Sequence, residues 1–381
     1  KIPKVTKTEK PKQEQSTTDD NGKNQADIIT TNQTPKRGSE NIYKNQLPTN
    51  VPVLLKNSIY VQARTHNEYW KMPNERDHSS WIPMIKFSQF YNNDRQLSYT
   101  AEYFNSDGSL WFRETLEQGF RAADWTVSFS SSNPYERLKT KSTVGTGVYS
   151  FKITDQETKE VIYQGKFKVG KFSTGQRPQE KNKFDFFVEH DWLLPFGMVG
   201  FPHGDNFETG GLPLEVSVWL KGMVKAEELE GRIFYKGQQI NLPQEPGKLN
   251  GVTDFDERTT EFAAPFAPNN TWKRWRFQWH NFRFDNNGTF RREIYPNAHY
   301  ADKNPGEYTV KIYRNGTQIR ELGFSIGADG RIVVPSYSNQ IPLPYYRVIL
   351  PVKILGTEKR DSLSWKTDAF YGNPLSGFNV Q

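Results

Sequence analysis

The chain has 381 residues, 14% of them aromatic, with a net charge of +7 and no cysteine. That length accommodates two or three domains with their own cores, and the missing cysteine excludes disulfides, thiolate metal sites and a cysteine nucleophile. No run approaches the roughly 18 apolar residues that span a bilayer, and the charge is spread too evenly for a nucleic-acid-binding face.

Residues 1–54 read as a polar, low-complexity arm or linker. Residues 1–50 hold nine Lys/Arg and six acids, a net of +3, which leaves +4 for the other 331 residues. No apolar period runs through it, so it cannot bury enough surface to offset its ordering entropy. It is a flexible tether or an arm that orders along a partner. The sequence starts at Lys1 rather than Met, and a cleaved export signal or a shortened chain would each give that start. Lack of cysteine fits the cytosol or a bacterial exported protein better than a eukaryotic secreted domain.

Residues 55–175 form the first predicted β-sandwich. Apolar alternation is visible at Ile85 and Phe87, then slips to Phe90, and returns at Tyr99, Ala101 and Tyr103. Asn105-Ser-Asp-Gly108 supplies turn chemistry before Leu110-Trp-Phe, a hairpin signal. The unit closes on Gly147-Val-Tyr149-Ser-Phe-Lys-Ile153, a polar loop, and Gly165-Lys-Phe167-Lys-Val169-Gly170.

Residues 176–335 form the second, and they repeat that ending. Gly306-Glu-Tyr308-Thr-Val-Lys-Ile312 leads through Asn315-Gly316 into Gly323-Phe324-Ser-Ile326-Gly327. Asn-Gly between alternating strands is a strong hairpin signal, because both residues tolerate positive φ. Finding the same ending twice predicts a duplicated fold. The starts align through His66-Asn-Glu-Tyr-Trp70 and Glu189-His-Asp-Trp192, which assigns the second unit an insertion at about 241–290. No helical period is sustained; Lys225–Glu230 is long enough for about one turn. Residues 336–381 form an aromatic- and Pro-containing tail with one predicted strand at 345–354.

The repeated G-x-Y-[ST]-[FV]-K-I hairpin resembles the last two strands of immunoglobulin-like or fibronectin-type modules of bacterial surface proteins. The resemblance implies an all-β chain of tandem immunoglobulin-like or fibronectin-like β-sandwiches, flanked by an extended N-terminal arm and a C-terminal tail. It covers the closing hairpins and brings no functional residues with it.

Two groups of residues are candidates for chemistry. Glu189, Asp191, His203 and Asp205 carry ligand types suited to a divalent metal; on a strand, Glu189 and Asp191 would share a face while His190 would not. In Thr271–Phe284, Trp275, Phe277 and Trp279 share one face, while Arg274, Arg276, Gln278 and His280 share the other. The apolar phase then shifts to Phe282 and Phe284, which predicts a bulge near His280-Asn281. An exposed Trp275/Trp279 row could stack on sugar rings, with Arg274, Arg276 and His280 on phosphate or carboxylate groups. The alternative is a core-facing strand with a basic outer side.

No G-x-S-x-G, P-loop or Rossmann glycine pattern is present, and no cofactor is expected. These features predict a non-catalytic cell-envelope or extracellular protein of bacterial type, a binding or scaffold component of a larger assembly. Its expected partners are other envelope or assembly proteins, engaged through the arm and tail, with polysaccharide as a further ligand; no nucleic acid and no membrane span are expected. The alternatives are a carbohydrate-binding module, a self-assembling shell or tail component, and a metal-dependent hydrolase built on the Glu189 group.

Overall fold

The computed structural model describes residues 51–66, 80–91, 93, 95–121, 126–173, 184–201, 212–242, 251–258, 270–285, 292–335 and 347–356. Residues 1–50, the outer parts of the tail, Trp70, His203 and Asp205 lie outside that set.

The first half comprises β1 (Val53–Leu54), β2 (Tyr60–His66), β3 (Ser80–Phe90), β4 (Tyr99–Phe104), β5 (Leu110–Thr115), β6 (Glu117–Arg121) and β7 (Thr126–Ser130). A short helix, α1 (Tyr135–Lys141), then leads to β8 (Gly147–Asp155), β9 (Val161–Ser173) and β10 (Phe184–Val188). The second half comprises β11 (Phe196–Gly200), β12 (Leu212–Lys221), β13 (Leu229–Tyr235), β14 (Gln238–Gln239), β15 (Gly251–Arg258) and β16 (Trp272–Phe284). It ends with β17 (His299–Tyr300), β18 (Gly306–Arg314), β19 (Thr317–Ile326), β20 (Val348–Pro351) and β21 (Lys353–Ile354).

The described residues are all-β apart from short helical turns and α1. Sheet I runs β1-β3-β7-β6 with β2 also on β3, and sheet II runs β10-β9-β8-β4-β5. Trp81, Phe87, Tyr99, Phe129, Phe151 and Phe167 from both sheets fill one core. Sheet III runs β15-β16-β12-β11-β20 with β17 beside β16, and sheet IV runs β14-β13-β18-β19-β21. Their shared core holds Val216, Trp275, Phe277, Tyr308, Val310 and Phe324.

The two halves repeat one connectivity. The order β2-β3-β7-β6 in sheet I reappears as β11-β12-β16-β15 in sheet III, and β5-β4-β8-β9 in sheet II as β14-β13-β18-β19 in sheet IV. This pairs β2 with β11. The proposed alignment of 66–70 with 189–192 therefore does not hold, since Glu189–Trp192 precede β11 whereas His66 ends β2. The first half's sheet also extends past 175: β10 pairs with β9 from Phe184↔Ser173 to Val188↔Val169. In the second half, β15 and β16 span 8 and 13 residues where β6 and β7 have five each, so part of the extra length is added strand.

The closing hairpins match residue by residue. β8 and β18 share the burial sequence of alternating inward Tyr149/Phe151/Ile153 and Tyr308/Val310/Ile312. Tyr149 faces Phe167 and Tyr308 faces Phe324 across their ladders, and the second pair stacks at 5.3 Å. Asn315 and Gly316 take φ of 49° and 78°, the positive values that a two-residue hairpin turn requires. At the other expected hairpin, Gly108 N–H closes the turn on Asn105 O.

The slip at Phe90 has a packing cause. Ile85 and Phe87 face the core, while Phe90 turns outward against Leu55 and Val53. Pro83 lies between the Trp81–Thr143 bridge and the Ser131–Ile85 backbone bond, where its missing N–H costs no ladder bond. The helix α1 escaped the sequence reading because seven residues with one buried side chain, Leu138, carry little periodicity. The tail strand expected at 345–354 forms as β20 and β21, which pair with β11 and β19; these tail residues contribute to both sheets of the second half.

Candidate functional site: the outward face of sheet III

Strand β16 turns its aromatic row inward. Trp275 and Trp279 are 3% and 5% exposed within the second core, so the expected surface platform for sugar stacking is corrected: these rings belong to the fold. Large rings placed on the core side of a strand gain far more from burial than from exposure. The expected bulge is present and broad. Leu214 pairs with Trp279 and Pro213 with Arg283, which leaves His280, Asn281 and Phe282 without a counterpart on β12. The bulge brings Phe282 and Arg283 against β17.

The opposite face of β16 carries Trp272, Arg274, Arg276 and Gln278, beside Lys221, Trp219, Ser217 and Glu215 of β12. Met198 of β11 faces Ser217 in the next register and Ile349 of β20 on its other side. Glu215 is 3% exposed and anchors the cations: Arg347 donates from Nη2 at 2.8 Å, and Arg276 Nη1 lies 3.7 Å away. Arg274 reaches Met198 Sδ at 3.9 Å. Arg276 and Arg347 thus converge on the buried Glu215 carboxylate, and charge-assisted contacts of this kind fix the guanidinium groups on the sheet face. His280 is half-buried at the bulge, and its backbone oxygen accepts from Arg283 Nε.

One end of this face is closed by the first half of the chain. Trp219, Trp272 and Ile349 belong to the first core rather than the second. Asp191, fully buried in a turn between β10 and β11, accepts from Trp272 Nε1 at 2.9 Å and pairs with Lys221 Nζ at 2.7 Å, both through Oδ1. Lys221 also sits 5.1 Å from the Trp272 ring centre, and His190 packs edge-on to that ring at 5.4 Å. Tyr60 of β2 lies 5.7 Å from His190. The result is a joint in which residues of both halves surround one buried carboxylate.

The proposed metal group reads differently in this setting. Glu189 Oε1 accepts from the Asp191 backbone N–H and caps the turn, while the Asp191 carboxylate points to Lys221 and Trp272. Asp191 opens a 3-10 turn and Glu189 stands between the end of β10 and that turn, so the strand-face argument for them does not apply. His203 and Asp205 lie outside the described residues. Among the described residues no group of three or more metal-ligating side chains occurs.

No protein-family model and no curated relative matches this chain.

Sequence reasoning missed the joint. Asp191, Lys221 and Trp272 are far apart in the chain, and Trp272 looked like one more member of an aromatic run. The signal available was its phase: Trp272 shares parity with Arg274 and Arg276, not with Trp275.

Proposed function

We propose that the chain is a non-catalytic scaffold or binding component of a larger assembly at a bacterial cell envelope or outside the cell, built from tandem immunoglobulin-like sandwiches. The orders β2-β3-β7-β6 and β5-β4-β8-β9 correspond to the A-B-E-D and C′-C-F-G arrangement of such sandwiches. Tyr308 supports the assignment: its hydroxyl donates to Asn304 O at 2.6 Å, four residues upstream, as the tyrosine corner of that fold does.

The observation that carries the functional reading is the joint. A buried Asp191–Lys221–Trp272 cluster and a shared core tie two copies of one module together, which favours a fixed platform over two independently moving binding modules. The platform's outward sheet III face holds the half-buried Arg274, Arg276 and Arg347, the last two beside Glu215. The cysteine-free composition and the hairpin resemblance to bacterial surface modules support the envelope assignment.

Cross-linking in the native envelope, followed by mass spectrometry of linked peptides, tests this. Links from arm lysines such as Lys23 and Lys44, and from Lys359 and Lys366 of the tail, to other proteins are expected. Links confined to the chain itself would overturn the reading.

A further inference from the structure

Sheet II packs one side against sheet I and turns the other outward. On β4, β5, β8 and β9 the residues between the buried positions point away from the core. The register sets Leu110, Phe104, Ser150 and Lys166 in one row across the strands, and Arg113, Glu102, Lys152 and Gln164 in the next. Lys168 stands opposite Val148, one row on. Among the described residues, the charged groups of this face are therefore Arg113, Lys152, Lys166 and Lys168 against Glu102: four minus one, a net of +3. The matching strands of the second half, β14, β13, β18 and β19, carry Arg232 and Lys311 against Glu230, Glu307 and Glu321: two minus three, a net of −1. Both faces keep a lysine over a phenylalanine, Lys152 at 5.8 Å from the Phe104 ring centre and Lys311 at 4.6 Å from that of Phe234. Lys166 and Lys168 stand where the second copy has Gly323 and Ser325, and Val148 where it has Glu307. The same sheet thus forms with or without the positive charge, so strand pairing and packing do not require it.

We propose that the outward face of sheet II binds an acidic polysaccharide, a chain of carboxylated sugars lying across β8 and β9. The net positive charge is complementary to such a polymer. Lys166 and Lys168 are two residues apart on one strand, about 7 Å, and Lys152 stands diagonally from Lys166, at roughly 7–8 Å between Cα atoms. Successive carboxylates of a linear chain can therefore meet separate ammonium groups. Thr100, Ser150 and Thr154 set hydroxyls among these cations for the sugar hydroxyls. Phe104, Leu110 and Val148 offer apolar contact to the C–H faces of the rings. A nucleic acid fits this face less well, because its rows lack the successive aromatic rings on which bases stack.

This site rests on the reading of the chain as an envelope binding component and gives that component a ligand. Isothermal titration calorimetry of the full chain with polygalacturonate tests it, with thermal unfolding as a control that each variant folds. Dextran, a DNA duplex and phosphatidylglycerol vesicles serve as comparison ligands. Polygalacturonate is expected to bind, more weakly as salt rises, and uncharged dextran is not. The double variant Lys166→Glu with Lys168→Glu reverses two charges on the outward side of β9 and should weaken binding by about tenfold or more with unchanged unfolding. Lys311→Glu, at the matching lysine of sheet IV, should leave the affinity unchanged. Absence of polygalacturonate binding overturns the site, as does binding indifferent to the double variant. Tighter binding to the duplex or to the vesicles than to polygalacturonate overturns it too. A chain that binds no polygalacturonate but still cross-links to other envelope proteins overturns this site alone and leaves the assembly reading standing.

Discussion

Removing the Asp191 carboxylate would take one shared acceptor from both the Lys221 ammonium and the Trp272 indole, in a position that water does not reach. Breaking one side of such a buried pair costs about 3–5 kcal/mol, so Asp191→Ala should lower the urea midpoint by a corresponding amount. His299 is a second sensitive residue. The Tyr308 hydroxyl gives its proton to Asn304 O, so His299 Nε2, 2.7 Å away, donates to the Tyr308 oxygen. Burial lowers the imidazole below its ordinary 6.5, so the folded chain holds the ring neutral where the unfolded chain begins to protonate. Between those two values the unfolded state binds more protons, and stability falls as pH drops through 6.5 toward the lowered value. Melts at a series of pH values should show that loss in the wild type and a flatter profile in His299→Gln. Tyr308→Phe removes the donor to Asn304 and the acceptor for His299, and should cost about 1–3 kcal/mol by chemical denaturation. Neither Asp191 nor His299 was legible as a stability site. The sequence shows which residue types are present, but their partners come from β12, β16 and β18.

At the level of strands, much more could be read. The Tyr149 and Tyr308 hairpins, the Asn105–Gly108 turn and the bulge in β16 are local features whose residues dictate backbone shape. Gly316→Val should destabilise the β18–β19 turn by about 1 kcal/mol or more, because a β-branched residue is strained at a φ of 78°. The direction of the aromatic row was the harder question. Alternation fixes that Trp275 and Trp279 share a face but not which side that face meets, and the core-facing side is decided by Val216, Val218 and Phe324 from distant strands. Trp279→Ala should therefore cost about 3–5 kcal/mol in a denaturant titration. An exposed sugar platform would have tolerated the change with little loss.

Across the whole molecule, the sequence indicated a duplication but placed a boundary between the copies that the packing crosses. Phe184–Val188 lies beyond residue 175 yet extends sheet II. Trp219 and Trp272 belong to strands of sheet III yet enter the first core. Calorimetry should accordingly find one cooperative transition for the two halves in the wild type, and in Asp191→Ala a broadened or split one as the joint weakens. Ile349 also contributes to that first core, although it stands near the end of the described chain. A growing polypeptide releases its residues in order, and independent modules finish folding one after another as they emerge. Here the earlier module still lacks Trp219, Trp272 and Ile349 when its own strands are out, so its completion waits until residue 349 has emerged, and the incomplete form presents an apolar surface until then.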